Sequence, residues 1–157
     1  MTITELPAAQ AHRLVPLTQQ VQAVHSAAEP DRYVTDPDPQ AVARFLEAML
    51  SAPGMTALVA GPPEQPTGYA ILEIVDRPAS ALQHAERRAV LHHICVDAAH
   101  RRQGIARALI AAVRVRAQAA DADRLWTSYA AHNAASAALM TSAGLVPSTI
   151  FASAPLS

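Results

Sequence analysis

Residues 99–113 read AHRRQGIARALIAAV. An arginine-bearing turn meets a lone glycine, Gly104, and then a run in which Ile105, Leu109 and Val113 mark one helical face while Arg107 and Arg114 mark another. Just upstream, AVLHHICV (89–96) has few polar breaks on either parity, the pattern of a strand buried on both faces and therefore central in its sheet. A strand that passes through a turn into a helix leaves several backbone N–H groups unpaired at the helix start, where the helix dipole also places positive potential. Such a junction suits an anion. Gly104 lacks a Cβ and Ala106 adds little bulk, so a ligand can approach the main chain closely. The stretch is built like a phosphate cradle. It is not a P-loop, because no Gly-x-x-x-x-Gly-Lys-Ser/Thr is present, and with one glycine it is not the dinucleotide fingerprint.

The rest of the chain bounds what surrounds this junction. At 157 residues it is expected to form one domain, 1–157, with no internal linker or repeat. Hydrophobic residues make up 51% and charged residues 16%, the balance of an ordinary folded protein. A net charge of −1 and the lack of any long Lys/Arg block argue against nucleic acid as the main partner. Cys95 is the single cysteine, so neither an internal disulfide nor a cysteine zinc site is expected, no metal is called for, and a reducing interior fits best. MTITELPAAQAH has neither a basic n-region nor an apolar h-region, and no run approaches roughly 18 consecutive apolar residues. The expectation is a cytoplasmic protein with no membrane partner.

Hydrophobic periodicity divides the chain into elements. TITEL alternates as a short strand, and a helix is expected over about 8–28, kinked or split by Pro16. EPDRYVTDPDP (29–39) is an acidic, proline-rich loop, and a second helix runs from Pro39 to Ser51 with Asp38 as its N-cap. MTALVA and TGYAILEIV read as a hairpin joined by GPPEQP. Residues 77–88 are read as a polar loop before the strand at 89–96. After the helix at 105 to about 120, RLWTSYA (124–130) is strand-like, and Asn133–Ala143 is a helix closed by Gly144 at C′. The tail VPSTIFASA supplies a last strand. The order is that of an α/β fold with a mixed sheet.

RRQGIARAL after a strand ending ICVD, followed by NAASAALM and AGL, resembles the GNAT acetyltransferase superfamily. Its Gln/Arg-x-x-Gly-x-Gly/Ala signature is matched by Arg101, Gly104 and Ala106, and the resemblance covers about residues 66–153 well. It implies the acyl-CoA N-acyltransferase fold, a mixed, mostly antiparallel central sheet flanked by helices. It also implies that main-chain amides of Arg102, Gln103, Gly104, Ile105 and Ala106 hold the pyrophosphate of acetyl-CoA, the co-substrate. Main chain from Ile94 through Cys95 to Val96 would pair with the pantetheine arm as an added strand. Asn133 matches an asparagine that contacts the cofactor. His100 and Arg101 either approach the phosphates or are solvated turn residues. The usual assembly in the superfamily is a homodimer.

Acetyl transfer to an amine needs the ammonium to lose a proton before nitrogen attacks the thioester, and a donor for the oxygen of the tetrahedral intermediate. A free N–H between Ile94 and Val96 would serve as that donor. No Ser-His-acid or Cys-His constellation is recognisable, so direct transfer is expected and Cys95 reads as a small core residue. His92 and His93 are the candidate bases. Successive strand residues face opposite ways, so without a bulge only one can look into the cleft. His92 shares parity with Ile94 and Val96 and sits where some superfamily members carry a catalytic carboxylate or histidine, so it is preferred, with a satisfied core histidine as the alternative reading. Glu73 is a further candidate or an exposed edge residue.

Met140 stands where the superfamily often has a tyrosine that protonates the leaving sulfur. A thiolate leaves tolerably without help, so the loss would cost up to about two orders of magnitude, and Tyr129, His132, Ser136 or Thr141 could substitute. Met140 also fits a domain that binds acetyl-CoA without transferring it. The resemblance puts His25, Glu29, Asp31 and Tyr33 beside the acceptor, a small-molecule or protein amine. The carboxylates from Glu29 to Asp38 would either attract a cationic amine or form a solvated acidic loop.

Overall fold

The computed structural model describes residues 1–154 and 156. Strand β1 (Ile3–Leu6) leads into a 3₁₀ segment (Ala8–Leu14) and helices α1 (Val15–Ala28) and α2 (Pro39–Leu50). Strands β2 (Met55–Ala60), β3 (Gly68–Arg77) and β4 (Glu86–Val96) follow, then α3 (Ile105–Ala119), β5 (Arg124–Thr127) and α4 (Ala134–Ser142). The five strands form one sheet in chain order. Its first three pairings are antiparallel and β4–β5 is parallel, which makes it the mixed, mostly antiparallel sheet expected.

Two cores sandwich this sheet. Leu14, Val15, Leu17, Leu46 and Leu50 from the first helical segments cover Ala57, Val59, Tyr69, Ile71 and Cys95. On the other face Ile105, Leu109, Ile110, Val113 and Ala117 of α3, with Met140 of α4, cover Leu58, Ala70, Leu72, Ala89 and Leu91. Each large side chain fully withdrawn from water in this way contributes roughly 1.5–3 kcal/mol.

Local signals explain most boundaries. Pro16 falls in the first turn of α1, where its missing N–H costs nothing, so the expected helix over 8–28 is split into a 3₁₀ segment and an α-helix. Asp38 caps α2 by accepting the Ala41 N–H at 2.9 Å. Gly144, at φ 77°, closes α4 as expected.

Three expectations are corrected. The segment 77–88 is shorter as a loop, because β3 runs to Arg77 and β4 starts at Glu86, where Arg87 pairs with Asp76 across the strands. The strand expected over 124–130 ends at Thr127, whose hydroxyl donates to the Leu91 carbonyl at 2.9 Å as the chain leaves the sheet. The tail 146–154 adds no strand among the described residues, and its Val146, Ile150 and Phe151 are exposed. Pro147 removes a donor there, and no buried face rewards pairing.

Candidate functional site

The site opens where β4 and β5 part. Their pairing covers only Arg88–Leu91 against Arg124–Thr127. The joined half is locked from outside: the Arg88 guanidinium lies 4.2 Å from the Trp126 ring centroid, and the indole N–H donates to Glu86 at 3.1 Å. Beyond Leu91 the second half of β4 pairs with β3 alone among the described residues. The Asp97 N–H points to β3, donating to the Thr67 carbonyl at 2.9 Å. By the two-residue period, Ile94 and Val96 therefore turn their backbone groups toward the side that β5 has left. The Val96 carbonyl there accepts from Arg101 Nε at 3.3 Å.

A bulge sits inside β4. Leu91 pairs with Leu72 and His93 with Ile71, so His92 is an extra residue. In a regular strand Leu91 and Cys95 would share a face, yet Leu91 belongs to the core under α3 and Cys95 to the core under α1 and α2. The extra residue reverses parity. Ile94 and Val96 pack with Leu91 on the α3 side, while His92 and His93 both serve the α1 side. His92 thus does not share parity with Ile94 and Val96, and the bulge brings both histidines to one face of the sheet.

Their surroundings differ. His92 Nε2 lies 2.8 Å from Glu73 Oε2, and each side chain is about one-third exposed, at 33% and 29%. His93 is more enclosed: its Nδ1 is 3.5 Å from the Tyr69 hydroxyl, and that hydroxyl is 2.9 Å from Thr18 Oγ1 of α1. Burial, then the neighbouring His92 and His25, hold His93 below the ordinary histidine range, so the ring is neutral at pH 7. Cys95 is buried, its thiol pushed up to about 11 by desolvation and donating to the Leu17 carbonyl at 3.3 Å. It is a packed core residue, as the sequence suggested.

At the end of β4 the turn is built on Asp97. Its carboxylate accepts from Gln20 at 2.9 Å, from the Ala99 N–H at 2.9 Å and from His100 Nδ1 at 3.1 Å. Gln20 in turn accepts the Ala98 N–H at 3.0 Å, which ties the turn to α1. The hydrogen bonds from Gln20 and His100 hold the Asp97 carboxyl below the usual range. Arg102 (φ 65°) and Gly104 (φ 82°) then adopt left-handed conformations on either side of Gln103, an alternation that turns successive N–H groups into a concave nest. Among the described residues, none of the N–H groups from Arg102 to Ala106 finds an acceptor, and the first bond of α3 runs from Ala108 to the Gly104 carbonyl. Apart from its chain neighbours, no atom of the described residues lies within 4 Å of where a Cβ on Gly104 would stand, and Arg101 to Gly104 are exposed.

A second cluster faces the histidines from α1 and the loop before α4. His25 stacks on Tyr33 at 4.9 Å and meets His132 edge-on at 5.6 Å. His132 Nδ1 is 3.1 Å from Glu29 Oε1, which links the α1–α2 loop to the β5–α4 loop. Burial, reinforced by His132, lowers the His25 value. His25, Glu29 and Tyr33 thus stand around one cluster, whereas Asp31 is exposed. Asn133 caps α4 by accepting the Ser136 N–H at 3.0 Å. Met140 is only 2% exposed and lies in the core under α3.

Sequence reasoning missed Thr18, Tyr69, Gln20 and Asp97 as parts of this site. Asp97 had a local signal, an aspartate directly before a turn that needs capping. The other three act through contacts between residues 24 to 78 apart in sequence, which no local pattern reveals.

The family model described as acetyltransferase (GNAT) family matches residues 21–145. The chain belongs to the GNAT acetyltransferase family. Its fold is that of other GNAT proteins of known structure. It is similar to a tetramutant of the BH1408 protein of Bacillus halodurans, with a TM-score of 0.87 and 21% identity over 99% of this chain and 100% of that one. It is also similar to the aminoglycoside N-acetyltransferase AAC(6')-Iy in complex with CoA (TM-score 0.74, 16% identity, 98% and 93% covered). A third likeness is to a ribosomal-protein-alanine N-acetyltransferase from Brucella melitensis biovar Abortus 2308 (TM-score 0.70, 21% identity, 100% and 99% covered). No curated protein sequence matches the chain. Acetyl transfer is the chemistry of this GNAT family, and no helix among the described residues is long and apolar enough to cross a membrane.

Proposed function

We propose that this GNAT protein is an acetyl-CoA-dependent N-acetyltransferase that moves acetyl directly to a primary amine of a small molecule or protein. The observation that carries this reading is the run of N–H groups from Arg102 to Ala106 that have no partner among the described residues, at the end of a strand whose outer edge no described strand pairs. Acetyl-CoA fits these residues. The nest and the α3 N-terminus would take the diphosphate, and the backbone of Ile94 and Val96 the pantetheine arm. Cys95, between them, turns its backbone groups to β3. Asn133 keeps its amide N–H₂ for the cofactor while its oxygen caps α4. When bound, acetyl-CoA supplies a thioester whose carbonyl accepts an amine.

The protein's own groups supply the rest. His92 and His93 are the candidate bases for the amine, the first with Glu73 as its partner. The Ile94 N–H, directed to the opened edge, is the donor for developing negative charge on the carbonyl oxygen. His25, Glu29 and Tyr33 line the acceptor side, and Glu29 is engaged by His132. Isothermal calorimetry with acetyl-CoA, followed by thiol release over a panel of amines, tests the proposal. Binding plus amine-dependent thiol release is the expected result; absence of binding at millimolar acetyl-CoA overturns it.

One observation favours a second reading. Met140, at the position of the superfamily's tyrosine acid, is buried in the core, so no side chain at that position protonates the leaving sulfur. A domain that binds acetyl-CoA as a sensor would show tight binding and no turnover on any amine.

A further inference from the structure

The two bulge histidines differ in what fixes the protons on their rings. We propose that His93 is the base that deprotonates the acceptor amine, and that Tyr69 and Thr18 are positioning residues that hold its ring proton on Nδ1 and leave Nε2 bare. The inference rests on the acetyl-transfer reading above, but its first test is independent of turnover.

Hydrogen accounting leads to it. Thr18 Oγ1 lies 3.0 Å from the Leu14 carbonyl, one helical turn back, and a carbonyl can only accept. Thr18 has one hydroxyl hydrogen, and it is used there. Toward the Tyr69 hydroxyl, 2.9 Å away, Thr18 can then only accept, so the phenolic hydrogen points at Thr18. Tyr69 is left with oxygen lone pairs facing His93 Nδ1 at 3.5 Å. With a proton on Nδ1 that contact is attractive. Without one, two lone pairs oppose each other beside a tyrosine that is 0% exposed, where water cannot intervene. A neutral imidazole carries a single N–H, so Nε2 keeps its lone pair, and among the described residues nothing hydrogen-bonds it. The contrast with His92 is direct: that ring commits Nε2 to Glu73.

The groups facing His93 are His25 from α1, Tyr69 from β3 and His92 on its own strand, with Thr18 of α1 behind the Tyr69 hydroxyl. Burial and the two neighbouring histidines disfavour its protonated form, which keeps the lone pair available at neutral pH. In the step itself an N–H bond of the ammonium breaks, its electron pair stays on nitrogen, and the proton passes to Nε2. The nitrogen pair forms the C–N bond, the cationic nitrogen so formed gives its second proton to water, and the C–S pair departs with sulfur, which takes the first proton back from the imidazolium, leaving a neutral amide and a thiol. Nδ1–H remains directed at Tyr69 throughout. Tyr69 loses no proton, since burial raises its phenol far above the ordinary value.

Long-range ¹H–¹⁵N spectra of histidine-labelled free protein at pH 7.5 read the tautomer. The expected result is His93 with Nδ1 protonated and Nε2 bare, a preference lost in Tyr69→Phe and in Thr18→Val and kept in Thr18→Ser. A wild-type ring protonated mainly on Nε2, or a tautomer unmoved by Tyr69→Phe, overturns the positioning role. With an amine that is turned over, His93→Ala should lower kcat by about 100-fold or more and by more than His92→Ala does, with acetyl-CoA affinity kept within about twofold. A larger loss in His92→Ala assigns the base to His92 and overturns this proposal. If the protein turns over no amine, the acetyl-transfer reading fails, while the spectra still decide the tautomer.

Discussion

Replacing Gly104 with alanine isolates the cradle from the rest of the fold. Gly104 sits at φ 82° and ψ 0°, a left-handed conformation. A residue with a Cβ pays about 1–2 kcal/mol to hold it. Apart from its chain neighbours, no atom of the described residues lies within 4 Å of the added Cβ, so a clash adds nothing to that cost. Because the N–H groups from Arg102 to Ala106 have no partners among the described residues, relaxation of the turn disturbs little beyond the Ala108 N–H bond to the Gly104 carbonyl. The penalty should therefore appear in ligand affinity. One to two kcal/mol corresponds to an affinity loss of about 5- to 30-fold, while unfolding free energy changes by about 1 kcal/mol or less. Gly104→Asp adds a negative charge facing the diphosphate. At about 6 Å and an effective dielectric of about 20 the repulsion approaches 3 kcal/mol, and water at this exposed turn reduces it, so a further tenfold loss is the conservative expectation. Calorimetric titration of CoA into wild type, Gly104→Ala and Gly104→Asp, with a melting curve for each, checks the argument. Folded variants that bind CoA within twofold of wild type would refute it.

Asp97→Ala removes the acceptor for Gln20, the Ala99 N–H and His100, so the turn before α3 should loosen; loss of such a cap costs about 0.5–2 kcal/mol, and CoA titration should show a matching drop in affinity. Met140→Ala should lower the unfolding free energy by about 2–5 kcal/mol, and Met140→Tyr by about 1–3 kcal/mol through overpacking, without the tyrosine raising turnover; urea midpoints and thiol-release rates measure both, Met140 being 2% exposed. His25 and His93 have folded values below the ordinary histidine value of about 6.5, so the unfolded chain takes up protons first as pH falls. Their stability contribution is complete above about pH 6.5 and is lost as pH drops from there through the folded values; denaturant midpoints from pH 7.5 to 5 should fall, and His93→Gln should flatten part of the slope.

What was legible in the sequence was whatever a local rule governs. Asp38, Pro16 and Gly144 each act within a few residues of themselves, and each marked its boundary. The cradle was legible for the same reason, since a glycine between a strand and a helix announces a backbone conformation before any tertiary contact forms. The bulge was not. Nothing in HHIC distinguishes a regular strand from one with an extra residue, because the shift is a property of the pairing of β4 with β3. Alternation therefore gave His92 the wrong companions. The tail misled in the opposite sense: VPSTIFASA has strand composition, but it meets no strand edge among the described residues. Strand propensity records a fit to a half-buried surface, and that surface is missing here.

The claim on which the rest depends is that backbone N–H groups at the start of α3 bind the diphosphate of acetyl-CoA. Titrating ¹⁵N-labelled protein with CoA and following individual amides tests it most directly. The account predicts that the amides of Arg102 to Ala106 shift the most and that inorganic pyrophosphate moves the same signals at higher concentration. CoA binding that leaves those five amides unmoved while others shift would contradict it.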